Sequence, residues 1–170
     1  MFFAETKKFT SKKLLSEYIE EVGGYRNAFT SKEVTFFHNQ IPFKEFERGV
    51  IFLSEIIQNS LLNEESLTKE IKVILEELKR RKDNVQNSLY DLTYEYLFRN
   101  HSLGHRVLGT EESLKNITRV NLIDFMNRYY HPSNYTFIIA GNIDPGVAVQ
   151  KFDQYFVNKS KKESNSYKYS

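Results

Sequence analysis

Residues 69–84 read KEIKVILEELKRRKDN, and two glutamates inside this run, Glu70 and Glu77, set how the rest of the chain is read. On a helix advancing about 100° per residue, with Glu70 at zero, Leu67, Ile71, Ile74, Leu75 and Leu78 fall between roughly 40° and 140°, and Val73 near 300°. Lys69, Lys72, Glu76, Lys79 and Arg80 gather between about 180° and 280°, an ordinary solvated face. Glu70 and Glu77 stand apart from that face. Seven residues apart, they sit two turns from each other at about 0° and 340°, against the apolar arc and beside Val73 and Ile74. Carboxylates in such a place need a cation, a metal or several donors to hold them. Geometry alone leaves two readings open: a pair of partly buried salt bridges, or a site.

Composition narrows the classes. A chain of 170 residues is one domain or a large part of one, long enough to bury a core. With 24 basic and 22 acidic residues the formal net charge is only +2, which makes no basic field suited to nucleic acid. There is no cysteine, so disulfides and thiolate metal sites are excluded. No apolar run reaches membrane-span length, and Met1-Phe2-Phe3 is too short for a signal peptide, which favours a cytoplasmic setting.

Read in order, Thr10 or Ser11 caps a helix carrying Leu14, Leu15, Tyr18, Ile19 and Val22 on one side, and Gly23-Gly24 ends it. YRNAFTSKEVTFFHNQI, residues 25–41, holds two extended runs around Thr30-Ser31-Lys32, a hairpin that Pro42 closes. An amphipathic helix follows over Phe43 to Ser60, then the central helix capped at Asn63, then a helix over Val85 to Leu97. A glycine-containing loop leads to two short helices capped by Thr110 and Thr118, the second ended by His131-Pro132. Asn134 to Gly141, NYTFIIAG, reads as a buried strand, and Asp144-Pro145 starts a last helix. From Asn158 the tail has no periodicity and is expected to be disordered, so the domain reads as 1–157 with a polar tail or linker at 158–170. On residue pattern alone Asn27 serves the geometry of the hairpin.

GGYRNAFTSKE, EIKVILEELKRRKDN, LGTEESLKNIT and YYHPSNYTFIIAGNID occur here in an order that resembles the amino-terminal half-domain of the pitrilysin–insulinase family of zinc metallopeptidases, which includes the mitochondrial processing peptidase. The resemblance covers roughly residues 1 to 155 and implies an α+β fold, an antiparallel sheet covered by helices. It also implies a zinc site in which an inverted His-x-x-Glu-His motif gives two ligands and the general base. Glu77 matches the third ligand, Glu70 a supporting carboxylate beside it, and Asn27 and Ala28 the strand along which a peptide or unfolded segment is added. A second homologous half-domain or subunit closes the chamber in such enzymes.

One part of the pattern is missing. The four histidines, at 38, 101, 105 and 131, belong to no His-x-x-Glu-His. His101 and His105 are four apart, but Gly104 and the loop around them argue against a helical metal pair. His38 reads as a packing residue among Phe36 and Phe37, and His131 as a partner of the last carbonyls of its helix. Met1 to Thr6 match the segment that follows the motif in the family, with Glu5 in place of Gly. The expectation is therefore a chain starting one residue after the motif, with its leading strands absent, inactive alone and holding zinc weakly or not at all. The alternatives are a non-catalytic family member serving as a chamber or partner subunit, and a helical interaction domain with salt-bridged glutamates.

Overall fold

Ser11 starts the first helix: its backbone is extended and its Oγ accepts the Leu14 N–H at 3.3 Å, taking up a donor that a helix start leaves unpaired. The structure, a computed structural model, describes residues 5–156; Met1 to Ala4 and the expected tail at 158–170 lie outside the described residues. Helix α1 (Lys12–Glu20) buries Leu15 and Ile19 and ends where Gly23 turns at φ +72°, the left-handed region glycine enters without strain. The N–H of Gly24 then closes on the Ile19 carbonyl at 3.0 Å. A methyl group on Gly24 would meet that carbonyl oxygen at 2.6 Å and the Ile19 and Ile41 side chains at 2.8 Å. Gly24→Ala is therefore expected to destabilise the chain by about 1–3 kcal/mol. A urea melt reads this, and an unchanged midpoint would show that the backbone yields there.

Strands β1 (Tyr25–Thr30) and β2 (Thr35–Gln40) form an antiparallel hairpin, in register from Tyr25 opposite Gln40 to Thr30 opposite Thr35. Arg26 and Asn39, paired across the strands, both turn to the helical side. Arg26 donates to Ser16 Oγ on α1, and Asn39 donates to the Gly49 carbonyl on α2 (Phe46–Gln58) at 3.1 Å. Between these helices and the loop before them lies a core of Phe9, Leu15, Ile19, Phe52, Ile56 and Ile57. Phe37 of β2 packs against it from the sheet. The arrangement is α+β, an antiparallel sheet covered by helices.

Helix α3 (Glu64–Asp83) is followed at once by α4 (Val85–Leu97), because Asn84 leaves helical geometry and its Oδ1 accepts the Asn87 N–H at 3.0 Å. Thr110 and Thr118 cap α5 (Glu111–Lys115) and α6 (Arg119–Tyr129), each with a reciprocal bond from the third residue of the helix. Asp144 Oδ1 accepts the Val147 N–H at 3.0 Å to start α7 (Pro145–Tyr155). Among the described residues no helix is long and apolar enough to cross a membrane.

Two expectations are corrected. Asn63 stands at the start of α3 but does not cap it with its side chain, since its amide donates to Glu5 at 2.6 Å instead. NYTFIIAG is neither a strand nor buried: Ile138 is 77% exposed, and no ladder forms over 135–140. A strand exists through its partner's backbone groups, and among the described residues β1 and β2 pair only with each other. Hydrophobicity without a neighbouring strand leaves this run extended and open. Phe137 packs on two rings of the last helix and its end, its centre 4.4 Å from Phe152 and 4.6 Å from Phe156.

Candidate active site

Helix α3 packs through Leu67 and Leu78, both buried, with Ile71, Ile74 and Leu75 half-buried between them. Its solvated face is paired within itself, Glu65 with Lys69 at 2.6 Å and Glu76 with Lys79 at 2.7 Å. Glu70 is half-buried, whereas Val73 and Glu77 are exposed. The stripe Glu70–Val73–Glu77 thus lies along the open border of the apolar arc, and Glu77 is less buried than its angle on the wheel implied.

The salt-bridge reading fails for Glu77, which makes no hydrogen bond or ion pair among the described residues. Arg81, four residues on and the natural helical partner for a glutamate, turns its guanidinium to Asp91 on α4 instead. Nε meets Oδ2 at 2.9 Å and the terminal nitrogen meets Oδ1 at 2.8 Å, a two-pronged ion pair. The Arg81 hydrogen bonds hold the Asp91 carboxyl below the usual carboxylate range, against the opposing effect of burial. With Arg81 held by Asp91, Glu77 feels that guanidinium only through space and is left without a hydrogen-bonded partner.

Such a carboxylate fits one ligand of a zinc ion and no more. Among the described residues no group of three or more His, Cys, Asp or Glu is placed to hold a metal. The histidines have other partners. His38 is half-buried on β2, with ring centres 5.6 Å from Phe36 and 6.0 Å from Tyr25. His101 Nδ1 accepts the Leu103 N–H at 3.1 Å, and His131 Nδ1 accepts the Ser133 N–H at 3.4 Å, each starting a short 3-10 turn. His101 and His105 line a cavity of about 490 Å³ with Glu95, Arg99 and Arg106.

Asn27 and Ala28 sit on β1. Ser31 N–H bonds the Val34 carbonyl at 2.8 Å at the turn. Hydrogen-bonded and non-bonded pairs alternate along an antiparallel ladder, so Tyr25, Asn27 and Phe29 turn their backbone groups to β2. Arg26, Ala28 and Thr30 turn theirs to the other edge, where the described residues place no strand. Consistent with this, the Ala28 N–H is taken at 2.8 Å by the Asn27 side-chain oxygen rather than by a backbone carbonyl.

Lys32, at the hairpin tip, ties this strand to the glutamate helix. Its ammonium donates to the His105 carbonyl and lies 5.0 Å from the centre of the Tyr94 ring on α4. Helix α4 is in turn locked to α3 by Arg81–Asp91 and to the following loop by Arg106–Glu95, whose second bond is 2.9 Å. Neither Lys32 nor Arg81 nor Asp91 was singled out from the sequence. Arg81 reads there as one of a basic run, and nothing local says that it turns across the Asn84 break.

The family model described as Insulinase (Peptidase family M16) matches residues 1–111, and that described as Peptidase M16 inactive domain matches 116–169. An uncharacterized zinc protease of Rickettsia bellii is 29% identical over 167 residues, covering 98% of this chain and 40% of the relative. The beta subunit of the human mitochondrial-processing peptidase is 34% identical over 143 residues, covering 84% of this chain and 29% of the subunit. A protease from Helicobacter pylori has the same fold, with a TM-score of 0.88 at 21% identity, over 95% of this chain and 39% of that one. The chain therefore spans less than half the length of the relatives it matches.

Proposed function

The chain belongs to the insulinase family of peptidases, family M16, and from that premise we propose that it supplies the substrate strand and one metal ligand of a zinc-dependent endopeptidase acting on peptides or unfolded segments. The observation that carries the reading is Glu77, an exposed carboxylate that makes no hydrogen bond or ion pair among the described residues while Arg81, four residues on, is held by Asp91. A catalytic zinc supplies an activated water and a polarised carbonyl. This chain's part is to bind and position. Glu77 holds the metal, Glu70 orients and tunes the site from its half-buried place one side of Val73, and β1 aligns the peptide through the outward groups of Ala28. The two histidine ligands and the general base come from outside these 170 residues, and a second half-domain or subunit closes the chamber. Residues 1–157 make up the peptidase part and 158–170 a polar tail. By itself the chain is inactive.

Metal analysis after dialysis tests this. The 170-residue chain is expected to keep far less than one zinc per molecule, because a single carboxylate is a poor site for a dication. The chain joined to a preceding segment with His-x-x-Glu-His is expected to keep one. A joined polypeptide without zinc, or a short chain with a full equivalent, would sink the assignment. A second reading, a non-catalytic homologue serving as a chamber wall or partner subunit, draws on the lack of any His-x-x-Glu-His among the 170 residues. Sequencing the amino terminus of the polypeptide isolated from cells separates the two.

A further inference from the structure

We propose that Lys32 is a positioning residue, a latch at the hairpin tip that sets the distance between the peptide strand β1 and Glu77 on α3. The inference rests on the reading that a peptide pairs along β1 and a metal sits on Glu77, and it names the residue that keeps the two in place.

The hairpin and Glu77 belong to different packing groups. The hairpin packs with α1, α2 and, through Tyr130 against Phe37 and Thr35, the end of α6, while α3 packs with α4 and α5. The chain crosses from α2 to α3 at residues 59–63, where Leu62 takes φ +50°. Bonds from Asn63 and Ser66 to Glu5, and from Arg119 to the Leu62 carbonyl, hold the start of α3 there. Glu77 lies about 21 Å along the helix from Asn63, at roughly 1.5 Å per residue. A tilt of about 10° at the crossing therefore moves Glu77 by roughly 3–4 Å. Misplacement by about 1 Å is enough to cost a reaction about 100-fold.

Lys32 takes hold near the far end of that lever. Its ammonium donates to the His105 carbonyl and lies 5.0 Å from the centre of the Tyr94 ring. Both partners are fixed in turn. The His105 N–H closes on the Ser102 carbonyl at 3.1 Å, and Arg106 beside it grips Glu95 of α4. Tyr94 stands one turn from Asp91, Asp91 is paired with Arg81, and Arg81 stands one turn from Glu77. Lys32 is half-buried while Ser31, Glu33 and Val34 around it are exposed, so the turn stays in solvent while this side chain is drawn onto α4.

The test begins with the 170-residue chain, which has no cysteine, carrying nitroxide labels at Thr30→Cys and Lys72→Cys, both exposed positions. Double electron–electron resonance is expected to give one narrow distance distribution with Lys32 in place. Lys32→Met, which keeps the length of the side chain and loses the cation, is expected to broaden it about two-fold, as an unlatched hinge does. Lys32→Arg is expected to restore the narrow distribution. In the polypeptide joined to His-x-x-Glu-His, Lys32→Met is expected to keep its zinc and its KM and to lower kcat about ten-fold, because the peptide still pairs on β1 but meets the metal at a varying distance. Lys32→Arg recovers that rate. An unchanged distribution in Lys32→Met, with only a lower urea midpoint, would overturn the latch. A broadened distribution with unchanged kcat would overturn the positioning role. An inactive joined parent would instead sink the peptidase reading, and the distance measurement, which needs neither zinc nor substrate, still decides the latch.

Discussion

Glu77→Gln, in a polypeptide that joins this chain to a preceding His-x-x-Glu-His segment, is expected to lose its zinc and all measurable peptidase activity. A neutral amide is a weak ligand for a dication and leaves the metal charge less compensated. Glu70→Gln is expected to keep more of the metal and lose about 10–100-fold in activity, the range for a carboxylate that supports a ligand without binding. Glu76→Gln is the control. It projects roughly 100° away from Glu77 on the helix and is held at 2.7 Å by Lys79, so it is expected to change little. Metal content and initial rates of the three variants are compared at one protein concentration. The order of loss, 77 then 70 then 76, is the claim. If Glu76 were the essential residue the helical register would be wrong, and if all three were neutral no zinc would sit on α3.

What the sequence made legible was local. Periodicity and caps placed the seven α-helices of the described residues, with Val85–Leu97 found to the residue and Thr110, Thr118 and Asp144 found as caps, because each rests on residues within four positions of one another. The hairpin was legible for the same reason: two extended runs around Thr30-Ser31-Lys32 need only each other. NYTFIIAG was misread because burial and strand formation depend on a neighbour that local pattern cannot supply. Glu77 illustrates the same boundary. Its angle on α3 followed from spacing, but its freedom from a salt bridge follows from Asp91, ten residues beyond Arg81 and on another helix. Helical spacing alone would have paired Arg81 with Glu77.

That competition makes Asp91 the residue whose loss should reach furthest. Its side chain is 8% exposed, and with Arg81 it is the ion pair that joins α3 to α4. Asp91 is buried but Arg81 is 30% exposed and can turn to water, so Asp91→Ala, which removes a two-pronged charge-assisted hydrogen-bonded pair, is expected to cost about 1–3 kcal/mol. The sign with pH follows from the lowered pKa of Asp91. A carboxylate depressed by folding stabilises fully above its unfolded value, near 3.9, and stops doing so as pH falls through its lower folded value. Parent and Asp91→Ala should therefore differ most in urea melts at neutral pH and converge in acid below about pH 3.9. A difference unchanged by acid would mean that the cost comes from packing and not from the pair. A second consequence separates stability from metal binding. Freed from Asp91, Arg81 is four residues from Glu77 and can pair with it, so Asp91→Ala in the joined polypeptide should also weaken zinc. Replacing both partners by apolar residues of similar size, Arg81→Met with Asp91→Leu, removes the buried charge and the competing cation together and should restore most of the stability. It should restore zinc affinity as well. Recovery of stability without recovery of zinc would show that Arg81 does not govern Glu77, and that the open carboxylate on α3 is kept open by something other than this pair.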